Sequence, residues 1–388
     1  MQFCLLILSF LSGIVLGSKG NGGKHWAVLV AGSNGWGDYR HQADVCHAYQ
    51  LLKKNGIPSE NIITMMYDDV ANDRRNPFPG KLFNDYKHVD VYAGVKIDYR
   101  GKDVTPDMFL RVLKGDRKLK ESGFKVLESG PEDNVFIYFS DHGSPNILVF
   151  PSGELSAKQL NETLAYMNKA RLYKKMVIYI EACYSGSMFR RILPENIDNT
   201  EKHQRDLFEW TVGKQFEAVK QDVWSSHVMR YGDWDISSLS VGEFQANVTR
   251  VGATAFSANR SMTTQDRSIA IRAYLVPLMH QLKRSKSLSQ MELAQRRLLR
   301  ALKLGKMVKD TVDEIVEEVT TTSAPTGTPI GIHEHLDCYQ TVYAQYKNKC
   351  FTIQQVPEVA KEMVKLDHLC EQGYDANVIV QAIFTTCG

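Results

Sequence analysis

Two apolar runs in this chain of 388 residues each end in a group capable of chemistry. Asn134-Val-Phe-Ile-Tyr-Phe-Ser-Asp-His142-Gly143 places a histidine just past a buried-strand pattern, and Met176-Val-Ile-Tyr-Ile-Glu-Ala-Cys183-Tyr-Ser-Gly-Ser does the same for a cysteine. If both runs are neighbouring parallel strands, their carboxyl ends share the edge where open α/β sheets collect their sites. A thiol attacks only as thiolate, and a nearby imidazole or helix N-terminus favours that state. Cys183 and His142 are therefore candidates for acyl transfer through a covalent intermediate. The tight turn Ser185-Gly-Ser187 offers free backbone N–H groups for a developing oxyanion, and Gly143 lets another amide approach a scissile carbonyl with no side chain in the way. Either residue alone reads as ordinary packing or a hydrogen-bonded loop histidine. Their matched positions carry the reading. Cys46, between Val45 and His47, reads as a small buried hydrophobe.

The flanking segments suit that geometry. His25-Trp-Ala-Val-Leu-Val-Ala31 is a continuous apolar run ending in Gly32-Ser-Asn-Gly35, and Asp44 to Asn55 follows with helical spacing. Asn61 to Tyr67 supplies another strand before a polar loop from Asp68 to Lys102. Thr105-Pro-Asp107 opens a helix with cap chemistry and an early proline, and a helix near Ser156 to Asn168 separates the two reactive runs. Alternating strands and helices predict an α/β domain whose mostly parallel sheet is covered by helices on both faces. From Ser287 to Val319, Leu288, Met291, Leu298, Leu302, Val308, Val312, Ile315 and Val319 recur at helical steps. Thr320 to Pro329 breaks that pattern as a linker, and a helical segment with four cysteines closes the chain.

Composition narrows the class. Hydrophobic content of 43% is ample for a core, and the net charge is only +3. Residues 18 to 258 carry 31 basic against 30 acidic groups and residues 259 to 388 carry 16 against 14, so neither half suggests a nucleic-acid binder. The basic run Lys283 to Lys309 reads as a solvated helix face rather than an anionic-surface patch. Residues 3 to 16 form an apolar run too short to span a membrane, with Val15-Leu-Gly17 as a small-residue cleavage site, so 1–17 is expected to be a signal peptide. No later segment predicts a membrane span. Cys338, Cys350, Cys370 and Cys387 then read as two disulfides with three possible connectivities. The sequons at Asn161, Asn247 and Asn259 accord with a secretory route. Without C-x-x-C spacing no metal site is expected, and no cofactor is called for.

Longer blocks carry a resemblance. Gly32-Ser-Asn34-Gly-Trp-Gly-Asp-Tyr-Arg40-His41-Gln-Ala-Asp-Val-Cys-His-Ala-Tyr49, Met65-Met-Tyr-Asp-Asp69, Ser140-Asp-His142-Gly143-Ser144 and Glu181-Ala-Cys183 resemble the legumain, or asparaginyl endopeptidase, family of cysteine peptidases, related more distantly to caspases. The resemblance implies a caspase-like α/β catalytic domain over 18–258, an activation segment over 259–286 and a helical prodomain over 287–388. It implies hydrolysis after asparagine, with aspartate accepted at lower pH, and in some relatives ligation. Cys183 would be the nucleophile and His142 the general base and acid, oriented by Asn34, with Gly143 and Cys183 N–H as oxyanion hole. Arg40, His41 and Glu181 would line the asparagine pocket, a buried Glu181 making its preference follow pH. The prodomain would pair Cys338 with Cys370 and Cys350 with Cys387 and cap the site until acid weakens carboxylate contacts to its basic helix. Protein or peptide substrates and cystatin-type inhibitors are the implied partners, and a lysosomal, endosomal or secreted location the implied address.

Three departures qualify the resemblance. After Asp198 the family continues with a strand and pocket segments, whereas here Asn199 joins directly onto a later helix, which removes a sheet strand and one pocket wall. That points to a splice isoform, a gene-model gap or an inactive copy acting as a binding or regulatory protein. Tyr184 stands where many relatives carry glutamate. Lys283 to Gln290 lacks an asparagine for self-cleavage, leaving Asn259 or Asp266 as substitutes. The catalytic subunit of the GPI transamidase shares the dyad, but the four-cysteine segment and the lack of a C-terminal anchor argue against it.

Overall fold

The computed structural model describes residues 2–9, 23–85, 87–189, 211–222, 228–233, 235–246, 273–326 and 330–388, the first stretch by its backbone only. The sequons at Asn247 and Asn259, the Asp198–Asn199 junction and the first half of the expected activation segment lie outside the described residues.

The strands are β1 (Gln2–Ser9), β2 (His25–Ala31), β3 (Ile62–Met65), β4 (Asn134–Ser140), β5 (Gly143–Ser144), β6 (Ile147–Val149), β7 (Glu154–Ser156), β8 (Lys175–Ala182) and β9 (Val228–Gly232). The helices are α1 (Tyr39–Lys54), α2 (Pro106–Leu113), α3 (Arg117–Glu121), α4 (Ala157–Lys169), α5 (Val212–Asp222), α6 (Gly242–Gln245), α7 (Leu275–Lys283), α8 (Leu288–Thr322), α9 (Ile332–Lys349), α10 (Val359–Gln372) and α11 (Ala376–Cys387). The main sheet runs β3-β2-β4-β8-β1-β9, and β3, β2, β4 and β8 are parallel.

Continuous apolar strands follow from burial on both faces. In β2, Trp26, Val28 and Val30 join one core with Phe109 of α2 and Leu160 of α4, while Ala27, Leu29 and Ala31 join the opposite core with Val45 and Tyr49 of α1 and Phe216 of α5. Both helices beside the first core start as the sequence predicts. Thr105 Oγ1 caps α2 by accepting from the Met108 N–H at 3.2 Å, and Ser156 and Gln159 form a capping box on α4.

The run expected to be a signal peptide has its Gln2–Ser9 portion in the sheet as β1, antiparallel to β8 and parallel to β9. A three-stranded antiparallel sheet, β5-β6-β7, leaves the carboxyl end of β4. Strands of two or three residues carry too little alternation to be read from sequence.

The C-terminal third is helical. Val308, Val312, Ile315 and Val319 of α8 pack with α9, α10 and α11, and Ile147 and Val149 of β6 belong to the same apolar cluster. The helix forms over the expected span, yet Leu288, Met291 and Leu302 of its first half are exposed. The bonds Cys338–Cys370 and Cys350–Cys387 staple the module, closing separations of 32 and 37 residues. By loop-closure entropy each contributes about 3–4 kcal/mol. No described helix is long and apolar enough to cross a membrane.

Candidate active site

The register of the two central strands fixes the geometry. Ser140 is opposite Glu181 in the parallel β4–β8 pair, so His142 and Cys183 each lie two residues past paired positions, on one rim. The Asp141 N–H donates to the Glu181 carbonyl at 3.1 Å, continuing the ladder by one bond. Beyond it the chains nearly touch. A Cβ on Gly143 would lie 2.1 Å from the Cys183 carbonyl oxygen, so no other residue fits there without parting the strand ends. Past Cys183, Tyr184 takes a left-handed conformation with φ of 56° and opens the one-turn 3-10 helix Ser185–Met188. Backbone outside the broad allowed regions is costly for a tyrosine, and such residues gather where the surroundings dictate the turn.

A second loop converges on that rim from β2. The Gly32 N–H donates to the Ser140 carbonyl at 3.2 Å, and Asp69 accepts from the Gly35 N–H at 2.8 Å and from Gln42 Nε2 at 2.8 Å. The loop then turns through Trp36–Asp38 into α1. This delivers Asp38, Arg40 and His41 to the site. His142 Nε2 lies 2.9 Å from Asp38 Oδ1, and Arg40 Nη1 donates to the same oxygen at 3.2 Å. The His41 ring meets His142 edge to face with centroids 5.1 Å apart, and its Nδ1 is 2.6 Å from Ser33 Oγ and 3.2 Å from Asp141 Oδ1.

The partner of His142 is thus Asp38, which the sequence reading passed over. Asn34, expected to orient the ring, has an exposed side chain. An acidic residue two positions before Arg40 was the available signal, but only the loop's path shows that it reaches the histidine. Arg40 stands on the rim, and the buried His41 ring is hydrogen-bonded. Glu181 accepts from Tyr138 Oη at 2.6 Å. Cys46 is buried beside the Met66 sulfur, 3.8 Å away. Asn161 is half-buried on α4, and Thr163 of its sequon is buried.

Burial sets the charges here. It would depress the His142 imidazole, but the Asp38 bond and the Asp38 and Asp141 charges outweigh it and raise the pKa above the usual value. Asp38 shows the reverse balance: burial pushes its carboxyl up, and the His142 bond and cationic neighbours bring it well below the usual range. His41 is held neutral by burial and Arg40. Burial lifts Asp141 to about 8 and raises the Cys183 thiol; burial with the Asp44 charge raises Glu181.

The C-terminal module sits against this rim. Ser144, two residues past His142, lies 3.2 Å from Tyr339 Oη and donates to the Ala360 carbonyl at 3.3 Å. Asn146 Nδ2 donates to Asp367 Oδ1 at 3.0 Å, Lys347 meets Glu154 at 2.6 Å and Lys158 meets Asp337 at 2.7 Å. Among the described residues these carboxylate contacts across the seam involve α9 and α10, whereas the expectation placed them on the basic helix α8. A cavity of about 160 Å³ lies in the seam, lined by Glu154, Lys158, Tyr339 and Tyr343.

A model of the Peptidase C13 family matches residues 25–201 and 195–247, in two pieces that meet around the Asp198–Asn199 junction. A hemoglobinase of Schistosoma mansoni is 43% identical over 400 positions, spanning 94% of this chain and 91% of the relative. A legumain of Rattus norvegicus is 38% identical over 95% of this chain and 93% of its own length. A vacuolar-processing enzyme delta-isozyme of Arabidopsis thaliana is 34% identical over 94% and 90%. In the first alignment 94% of this chain supplies about 365 of the 400 positions, so at about 35 positions the relative has residues and this chain has none.

Proposed function

The chain belongs to the Peptidase C13 family and is a cysteine endopeptidase, and from that premise we propose that it is a zymogen cleaving peptide bonds after asparagine through Cys183 and His142. The observation that carries this reading is the β4–β8 register, which brings both residues to one rim with Gly143 against the Cys183 carbonyl. Cys183 Sγ would attack the scissile carbonyl while His142 takes the thiol proton and then delivers it to the leaving amine. The Gly143 and Cys183 N–H groups would hold the oxyanion. Asp38 stabilises the imidazolium that must exist between those two transfers, a positioning role that we add to the one expected of Asn34.

Arg40, His41 and Glu181 are proposed to receive the asparagine carboxamide. A Glu181 carboxyl raised by burial would protonate on mild acidification and then favour a carboxylate substrate less unfavourably than its anion does, which accounts for aspartate at lower pH. The C-terminal module, docked two residues from His142, is proposed as the inhibitor removed on activation. A signal peptide, sequon glycosylation and delivery to a lysosomal, endosomal or secreted destination complete the proposal, with protein substrates and cystatin-type inhibitors as partners.

The two-piece family match and the positions absent from this chain favour one alternative, a homologue that keeps the dyad but lacks a pocket wall and acts by binding. A thiol-directed active-site probe and a fluorogenic peptide with asparagine before the scissile bond separate the two. Labelling at Cys183 with cleavage lost in Cys183→Ser supports the peptidase. Labelling with no cleavage of asparagine or aspartate peptides at any pH overturns the proposed specificity in favour of the binding protein.

A further inference from the structure

We propose that Asp38, His41 and His142 form a binding site for a divalent transition-metal ion of the zinc type, which would switch the catalytic histidine off. One potential ligand atom from each lies within 4.8 Å of the others, the only such group of three among the described residues. The residues come from the turn before α1, the first turn of α1 and the loop after β4. Two imidazoles and a carboxylate suit zinc or cobalt, whereas magnesium and calcium prefer all-oxygen sites.

A second observation suits a metal-bound imidazole. Asp141, whose side chain is fully buried, sets one carboxylate oxygen 3.2 Å from His41 Nδ1. Carboxylate, histidine and metal in sequence is the arrangement that orients metal-bound imidazoles. Asp141 and Ser33 both engage Nδ1 of His41, which leaves its other nitrogen to offer a lone pair.

Bonds of 2.0–2.2 Å put tetrahedral ligand pairs about 3.4 Å apart. The His142–Asp38 pair, at 2.9 Å, is already that close. No separation in the group exceeds 4.8 Å, so none has to close by more than about 1.4 Å, and Asp38, whose Oδ1 also accepts from Arg40 Nη1 at 3.2 Å, would exchange that contact for the ion. The ion replaces the proton shared by His142 and Asp38, so one proton leaves for each ion bound. Binding does not depend on the proposed peptidase mechanism. Inhibition does rest on it, because an imidazole whose lone pair is held by a metal cannot relay a proton.

The test uses the full chain carrying Cys183→Ser, which removes the thiolate as a competing ligand. Titration with Co²⁺, followed by calorimetry and visible absorption, is expected to show one ion per chain. Affinity should fall about tenfold or more in the added Asp38→Asn and Asp141→Asn variants. No binding to Cys183→Ser, or equal affinity in Asp38→Asn, overturns the site. Replacing buried His41 endangers the fold, so paramagnetic shifts of histidine ring protons give a second readout on the Cys183→Ser chain alone. Shifts at His41 and His142 support the site, and shifts confined to other histidines overturn it. Co²⁺ binding to Cys183→Ser, together with no peptide cleavage by the chain that keeps Cys183, would overturn the peptidase mechanism and leave the metal site standing. Peptide cleavage whose Zn²⁺ inhibition is unchanged by Asp38→Asn would do the opposite.

Discussion

At the scale of single residues the site is governed by who neutralises whom. Asp38 and His142 stabilise each other's charged forms against burial that opposes both. Replacing Asp38 by Asn keeps a hydrogen-bonding group but removes the charge, so His142 should lose its proton more easily. The alkaline limb of kcat is expected to move toward acid and kcat to fall about tenfold, within the usual contribution of acid–base catalysis, as a pH–rate profile would show. Asp141, Glu181 and His142 all have raised pKa values, so the folded chain holds protons that the unfolded chain releases. Stability from His142 is lost as pH rises through its raised value, and the buried carboxylates destabilise the fold as they ionise between about 4 and about 8. His41, with a lowered pKa, works the other way below its usual value. Asp44 and Asp98 are raised by burial as well and His25 is lowered by it, so with five groups against two the melting temperature should be higher at pH 5 than at pH 7.5, and a calorimetric scan reporting the reverse would reject this balance.

At the scale of elements the decisive contact is between the ends of β4 and β8. Gly143→Ala must part them, because its Cβ has only 2.1 Å to the Cys183 carbonyl oxygen. A displacement near 1 Å at reacting groups costs about 10²-fold, so kcat/KM should drop by that order while the disulfide-linked module still melts cooperatively. Loss of stability without loss of activity would show that the rim adapts. The slot between β8 and β9 makes a second prediction. A leader removed by signal peptidase cannot also remain as β1, and on the proposed signal peptide the mature chain is expected to begin near Ser18. N-terminal sequencing that returns Gln2 or Met1 would establish β1 as a permanent strand.

At the scale of the whole molecule, the catalytic domain and the helical module share one apolar cluster through Ile147 and Val149 of β6. These residues sit on the hairpin sheet that begins at Gly143, so the helical module, the proposed inhibitor, packs on the same element that follows the histidine. Charged contacts tune this seam. Glu154, with a side chain only 7% exposed, pairs with Lys347. Breaking a largely buried pair leaves an unsatisfied group worth about 1–3 kcal/mol, whereas the exposed Lys158–Asp337 pair should contribute under about 1 kcal/mol. Glu154→Gln is therefore expected to release the module and yield activity at higher pH than wild type, and Asp337→Asn to change little. Activity measured after incubation across a pH series would distinguish them, with identical release curves counting against Glu154 as part of the latch.

The sequence by itself determined the fold class, the order of the central elements and the pair of residues at the strand ends. Unbroken apolar runs form strands only when buried on both faces, and a parallel sheet puts their carboxyl ends together. It also placed Cys338, Cys350, Cys370 and Cys387 in a helical module, although pairing needed the family resemblance or the coordinates. Local pattern did not reveal Asp38 against His142, because a loop between β2 and α1 has no periodicity and its path depends on Asp69, Gln42 and Ser140 far along the chain. Nor did it show β5 to β7 joining the helical core, or the exposure of Leu288, Met291 and Leu302 within a regular helix. Those outcomes depend on which surfaces meet, and an amphipathic stripe states that a face can be buried without saying what will cover it.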